Sequence, residues 1–403
     1  MTQLEEKRLL DELVAIDTCV PPGRNYERAL KVVGDYLEGA GFQVEYVKTP
    51  EEVVREVFGD KLPKDAGERV NLVARVGQGG RTLLLNAHID TVPPGPGWTR
   101  NPFELFEEGG KLYGRGTSDD KGGVVALACA AKRFASKVVN GSLVFTATCD
   151  EEVGGRTGLG YLVQKGLRCD DALVADGSIR VAGIAANGCM RFSVKVIGKA
   201  AHASRNWLGI NAIEKASVVV QALTELNKKL SSRLSSVPAD PESGVKFLRP
   251  SLTVAMIQGG VKENVVPPEC TIIVDRRLIP EENFEEARLE IQTVLEELRK
   301  KDAQLKYQLD FEPQNHFSFK IPEDSEIVKL YVKSWEDIGS TPIIAGGLGC
   351  VDSCYLAKEH IPVVTCGVSR AGNSVHGADE FVYKEDLEKF SKAVEKLMTL
   401  YFA

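Results

Sequence analysis

The chain has no excess of positive charge. Its 50 Lys and Arg are outnumbered by 57 Asp and Glu, for a formal net charge of −7. Without a basic tract there is no electrostatic footprint for a nucleic-acid backbone, so nucleic acid is not an expected partner. Long apolar runs are also missing. The longest, such as residues 122–131, fall well short of the about 20 residues needed to cross a bilayer, and no membrane span is expected. The opening segment MTQLEEKRLLDELVAI is charged and amphipathic, with no signal-peptide core, which points to a cytoplasmic protein. There are nine cysteines, an odd number, scattered along the chain. Cys129 and Cys366 lie in apolar runs as small core hydrophobes. The one close pair, Cys350 and Cys354, lacks a second pair to complete a zinc site, so structural roles are expected. Histidine is scarce, with five in all.

What is present is an ordinary globular composition, 43% hydrophobic and 27% charged. A length of 403 residues exceeds the usual single core, so two domains are expected. Residues 3–40 have the apolar spacing of two helices, broken at Pro21-Pro22-Gly23. Strand-like runs follow at 42–47, 70–76, 82–87, 142–149 and 171–175, with a strong helix over 122–135. This alternation predicts an α/β fold: a central mixed sheet with helices on both faces. The pattern then changes. Residues 191–198 alternate polar and apolar side chains, as a half-exposed antiparallel strand does. Further strands at 251–257, 270–276 and 305–311, with helices at 211–229 and 282–301, predict a four-stranded antiparallel sheet carrying two helices. The buried-strand style returns at 362–367. The expected organisation is a discontinuous metal-binding catalytic domain, 1–183 and 314–403, with an inserted α+β lid or dimerisation domain over 184–313.

Acids and histidines gather at the ends of the apolar runs. Strand 82–87 ends in His88-Ile89-Asp90, strand 142–149 in Asp150-Glu151-Glu152, and strand 171–175 in Asp176. The Gly114-Arg115-Gly116 turn delivers Asp119 just ahead of the next helix, and Ser374-Val375-His376-Gly377 follows the last strand. In an open α/β sheet, ligands bind beyond the carboxyl ends of the strands, so these segments aim at one crevice. Crowding that many carboxylates together without a cation costs several kcal/mol for each. A metal centre removes the conflict. A metal-bound His commonly gives its other ring N–H to a carboxylate, which suits the His88-x-Asp90 pair. Each motif alone has a plain alternative, a surface pair, a solvated charge run or a turn; their shared placement after strands is what argues for a metal site. His316 and His360 have no such setting and read as surface or packing residues.

The motifs His88-Ile-Asp90, Gly114-Arg-Gly-Thr-Ser-Asp-Asp-Lys-Gly122, Asp150-Glu-Glu-Val-Gly154 and Asp176, in this order, resemble those of the M20 metallopeptidase family. Gly198-Lys-Ala-Ala-His202, Asn264-Val-Val-Pro267, Asp275-Arg-Arg277 and His376-Gly-Ala-Asp-Glu380 continue the likeness, which spans nearly the whole chain. The family includes acetylornithine deacetylase, succinyl-diaminopimelate desuccinylase, aminoacylase and glutamate carboxypeptidase. The resemblance implies two zinc ions per subunit, with Co²⁺ or Mn²⁺ able to substitute. Asp119 bridges them, His88 and Asp176 complete one site, and Glu152 and His376 complete the other. Asp90 orients His88, and Glu151 is the general base. A cis peptide at Asp119–Asp120 is also implied.

On the same likeness, His202 of the inserted domain stabilises the oxyanion, reaching in from a partner subunit in dimeric members; the plain alternative is a loop His capping a strand. Arg277 and Asn264 hold an anionic group of the substrate. Neighbouring Arg276 should face the other side of its strand. Around Gly347, the Gly346-Gly347-Leu348-Gly349 backbone is either an anion cradle or a simple loop. Desuccinylases and deacetylases of the family tend to carry Gly-Gly-Thr-x-Asp-x-Arg here, whereas this chain has Gly346 to Cys354 with extra residues and Cys354 in place of the Arg. That departure leaves the acyl group open. The expected activity is a zinc-dependent hydrolase cutting the amide of an N-acyl amino acid, of the acetylornithine or succinyl-diaminopimelate type. A dipeptidase or carboxypeptidase acting on short peptides is the alternative. A non-catalytic binding module would be expected to have lost ligands that this chain keeps. The expected assembly is a homodimer through the inserted domain.

Overall fold

The computed structural model describes residues 5–313 and 316–403. The helical start expected at residues 3 and 4 and the boundary expected at 314 lie outside them. A large mixed sheet of nine strands runs in the order Gln43–Lys48, Val70–Gln78, Gly141–Thr148, Arg81–His88, Asp171–Ala175, Val363–Cys366, Val181–Ala186 and Phe319–Lys320, with Ile343–Gly347 also paired to Val181–Ala186. Its centre is parallel: Arg81–His88 lies between Gly141–Thr148 and Asp171–Ala175, and Val363–Cys366 runs parallel to Asp171–Ala175. Residues Leu83 to His88 are buried without a break, so both faces of this strand are covered. That is why its sequence is a continuous apolar run and not an alternating one.

Helix Lys121–Phe134 is buried on nearly every side, which its Ala- and Val-rich sequence allows, and it packs between the sheet and the C-terminal helix Lys384–Tyr401. Its first turn comes very close to its neighbours. A Cβ on Gly122 would stand 2.2 Å from the Thr117 carbonyl, and one on Gly123 would stand 2.0 Å from Asp120 Oδ1 and 2.7 Å from the Ala175 carbonyl. Glycine at both positions lets the helix start sit against the strand that ends in Asp176, bringing the Asp119 turn to the same sheet edge.

A second sheet of four antiparallel strands, in the order Ser251–Gly259, Glu269–Leu278, Gly188–Ile197 and Lys306–Phe311, carries helices Ala212–Leu230 and Phe284–Lys301. It has its own apolar core, including Phe192, Val194, Leu223, Ile272, Ile291 and Leu295, separate from the core of the large sheet. Both sheets match the architecture expected from the sequence. A small third sheet, Phe381–Tyr383 with Lys111–Tyr113 and Phe106–Glu108, was not expected; it joins the segment after His376 to the Gly114 turn. No helix among the described residues is long and apolar enough to cross a membrane.

Candidate metal centre

Three parallel strands end at the same edge of the large sheet. His88 pairs in register with Thr148, and Asn86 with Val174, so His88, the Asp150-Glu151-Glu152 turn and Asp176 leave the sheet side by side. Asp119 arrives from the helix start, with a cis peptide joining it to Asp120. Its carboxylate stands between two imidazoles: Oδ1 is 3.1 Å from His88 Nε2, and Oδ2 is 3.0 Å from His376 Nε2. Glu152 Oε1 is 3.1 Å from the same His376 nitrogen. One ligand atom each of His88, Asp119 and Glu152 lies within 4.8 Å of the others, and the same holds for His88, Glu151 and Asp176. The structure therefore brings together His88, Asp90, Asp119, Glu151, Glu152, Asp176 and His376. The centre opens at His376, whose side chain is 53% exposed, while His88 is 2% exposed.

Asp90 acts with two parts of itself. His88 Nδ1 lies 3.0 Å from the Asp90 backbone oxygen, closer than the 3.5 Å to the carboxylate. The carboxylate instead accepts the backbone N–H groups of Glu151 and Glu152, at 3.2 and 3.1 Å. It thus aims the acidic turn as well as the imidazole.

Buried supports hold the turns. Asp150, with a left-handed φ of 60°, accepts hydrogen bonds from Arg69 Nε at 2.8 Å, Tyr26 at 2.7 Å and Thr157 at 2.6 Å. Glu380 accepts the backbone N–H groups of Gly116, Ser118 and Asp119, together with Arg115 Nη1 at 2.6 Å. Arg115 also donates to the Gly377 carbonyl, tying the Asp119 turn to the His376 loop.

The electrostatics show a surplus of negative charge. Burial, reinforced by Asp176, pushes the Glu151 carboxyl well above the usual range. Burial and the Asp119 charge raise Asp176 to about 7. Burial would raise Asp119 too, but hydrogen bonds from His376 and His88 outweigh it and hold that carboxyl low. Hydrogen bonds to Asp119 and Glu152 lift His376 to about 10. Protonated imidazoles here take the part that divalent cations would play, since both balance the same carboxylates. Mixed imidazole and carboxylate donors, with one carboxylate facing both sides, fit a pair of such ions.

The residues of the second sheet lie outside this cluster. His202 is exposed, with Nδ1 2.8 Å from Ser204 Oγ, and it contacts none of the cluster residues. Asn264 is beside it, its carbonyl accepting the Ala203 N–H at 3.0 Å. Arg277 binds Asp275 through Nε at 2.7 Å and Cys350 Sγ through Nη1 at 3.2 Å. Arg276 faces the other way, fully buried against Glu282, as strand alternation requires. Gly347 ends its strand, and its carbonyl accepts the Asn187 N–H at 3.1 Å.

His316 corrects an expectation. It was read as a surface or packing residue, yet its Nε2 lies 3.9 Å from Glu151 Oε1, inside the cluster. Burial and the nearby charges of Arg191 and Arg277 lower its imidazole to about 4, so it is neutral near pH 7. Asp352 was likewise missed; burial pushes its carboxyl up to about 8. His316 sits in no motif, whereas Asp352 takes the Asp position of the family's Gly-Gly-Thr-x-Asp-x-Arg in the Gly346 to Cys354 segment, and that signal could have marked it.

A family model described as peptidase family M20/M25/M40 matches residues 84–400. A succinyl-diaminopimelate desuccinylase of Methylobacterium sp. (strain 4-46) is 28% identical over 394 residues, covering 93% of this chain and 91% of that protein. An acetylornithine deacetylase of Myxococcus xanthus is 34% identical over 298 residues, covering 72% of this chain and 71% of its own. The crystal structure of an M20 family metallo-carboxypeptidase, Sso-CP2 from Sulfolobus solfataricus, superposes with a TM-score of 0.81 at 18% identity, covering 99% of this chain and 100% of that one. With most of its length matched, the chain belongs to peptidase family M20/M25/M40 and is a metallohydrolase acting on amide bonds.

Proposed function

We propose that this protein is a zinc-dependent hydrolase that cleaves the amide bond of an N-acyl amino acid, of the acetylornithine deacetylase or succinyl-diaminopimelate desuccinylase type. The observation that carries the reading is the Asp119 carboxylate, one oxygen to His88 and the other to His376, with Glu151 alongside. His88, Asp119 and Asp176 would hold one ion, and Asp119, Glu152 and His376 the other. Ions held there would supply a Lewis acid for the substrate carbonyl and lower the pKa of bound water toward neutral. Glu151 takes the proton of the attacking water and passes it to the leaving amine. Its burial supports this, because a base beside cations needs desolvation to keep its proton affinity near the working pH.

Arg277 and Asn264, with the backbone around Gly347, hold the anionic end of the substrate. The guanidinium fork suits a carboxylate. The names of the desuccinylase and deacetylase relatives support an acylamino acid. Purified protein loaded with Zn²⁺, then with Co²⁺ or Mn²⁺, is expected to turn over acetylornithine or succinyl-diaminopimelate in preference to a dipeptide panel. Turnover of dipeptides alone would replace this reading with the peptidase one, for which the Sulfolobus likeness speaks.

The unit expected over 184–313, whose first residues 184–186 belong to the strand Val181–Ala186 of the large sheet, serves as lid and dimerisation module in a cytoplasmic homodimer. Exposed apolar side chains support a partner there: Trp207 is 73% exposed and Val261 77%, and both border a groove that runs past Asn206 and Ile213. The strand Ser251–Gly259 leaves its outer edge unpaired, with Met256 and Ile257 exposed. His202 then serves the partner's centre as oxyanion donor. Mixing inactive His202→Ala with inactive Glu151→Gln protein is expected to restore activity to about a quarter of the wild-type value, because half of the dimers pair one intact base with one intact imidazole. No recovery after subunit exchange would place His202 in its own subunit's site or outside catalysis.

A further inference from the structure

Glu151, His316 and Asp352 each present one ligand atom within 4.8 Å of the others. Asp352 is 1% exposed, and among the described residues neither of its carboxylate oxygens has a hydrogen-bond partner. Among the same residues His316 Nε2 is also buried without a partner, and it lies 3.9 Å from Glu151 Oε1. A buried polar atom left unpaired costs about 1–3 kcal/mol, and more when it is charged, so an unpaired carboxylate and an unpaired imidazole nitrogen grouped with Glu151 leave room for a further partner. The neighbouring turn packs directly on the carboxylate: a Cβ on Gly155, whose φ is +63°, would fall 1.9 Å from Asp352 Oδ1 and force that side chain to move.

We propose that Glu151, His316 and Asp352 form a third divalent-cation site, separate from the pair at Asp119, and that filling it stops turnover. One imidazole nitrogen and two carboxylates neutralise one divalent ion and suit Zn²⁺ or Mn²⁺. The site is weaker than the pair because its ion is repelled by two neighbours of like charge. The inhibitory part rests on Glu151 being the base: a carboxylate engaged by a cation no longer accepts the proton of the attacking water. Hydrolysis thus proceeds with two ions bound and stops when a third occupies Glu151.

The test is equilibrium dialysis of chelator-stripped protein against Zn²⁺, with elemental analysis, on the wild type, His316→Ala and Asp352→Asn. The wild type is expected to bind one equivalent more than either variant, and that equivalent should be the weakest bound. Excess Zn²⁺ is expected to lower wild-type activity at least about tenfold relative to the two-equivalent enzyme, while each variant keeps its own two-equivalent rate. Asp352→Asn keeps the shape of the side chain and covers the case in which His316→Ala fails to fold. Equal Zn²⁺ content in the wild type and both variants overturns the third site. The number of ions left in the variants reports separately on the pair at Asp119. An extra equivalent in the wild type without inhibition removes the regulatory half of the proposal.

Discussion

Glu151→Gln is expected to lower kcat by about 10²–10⁴-fold while the ions at His88, Asp119, Glu152, Asp176 and His376 stay in place. The substitution keeps the shape of the side chain and removes only the ability to take a proton. Glu151 is 8% exposed, at the mouth of the cluster, and its backbone N–H is held by Asp90, so the turn should not move. The neutral amide also relieves repulsion with Asp176, which raises the Glu151 carboxyl. Losing that negative charge stabilises the metal-free centre, so metal affinity should hold or fall modestly, with the five other side chains still in place. Single-turnover rates and metal content measured on the same sample check this together. Unchanged turnover with both ions bound would remove Glu151 from the mechanism, and the acid–base step would have to move to another group.

The second large effect is on stability. Glu380→Ala is expected to destabilise the fold by about 3–5 kcal/mol and to lower metal affinity with it. The carboxylate is fully buried, as is its partner Arg115, and it accepts three backbone N–H groups of the turn that carries Asp119. Removing it leaves an uncompensated guanidinium and three unpaired amides in a buried region. The same loss loosens the tie between the Asp119 turn and the segment after His376, leaving the Arg115 bond to the Gly377 carbonyl to hold them. Chemical denaturation of the chelator-stripped protein isolates the structural cost, and a Zn²⁺ titration reads the effect on the site. The double variant Arg115→Met with Glu380→Leu should cost less than Glu380→Ala alone, since no charge is left buried and unpaired. A loss under 1 kcal/mol for Glu380→Ala would show that solvent reaches the turn and takes over its hydrogen bonds.

The residues of the candidate centre were visible because each ends a recognisable local pattern. His88, Glu151, Glu152 and Asp176 follow apolar runs long enough to be read as buried strands, and parallel strands end on one edge, so their convergence followed from the sheet type. The second sheet was equally plain, since residues 191–198 alternate in the way a half-exposed strand must. Arg276 and Arg277 separated onto opposite faces for the same reason of period. Periodicity is a local property of the chain, and order along it carried both the layout of the sheets and most of the centre.

Other features depend on contacts between residues far apart in the chain. Glu380 reaches back 261 residues to the Asp119 N–H, and Tyr26 reaches forward 124 residues to Asp150. His316 and Asp352 meet Glu151 from outside the strand-end motifs, so periodicity alone did not place them beside it. The spacing of His88 and Asp90 suggests a carboxylate partner for the imidazole, but the division of labour, carbonyl to the imidazole and carboxylate to the acidic turn, depends on how two strands lie side by side. A buried polar group takes whatever partner the packed chain brings within hydrogen-bond distance. Patterning along the sequence therefore identifies the strands and the groups at their ends, whereas the partners that hold those groups are chosen by the folded chain.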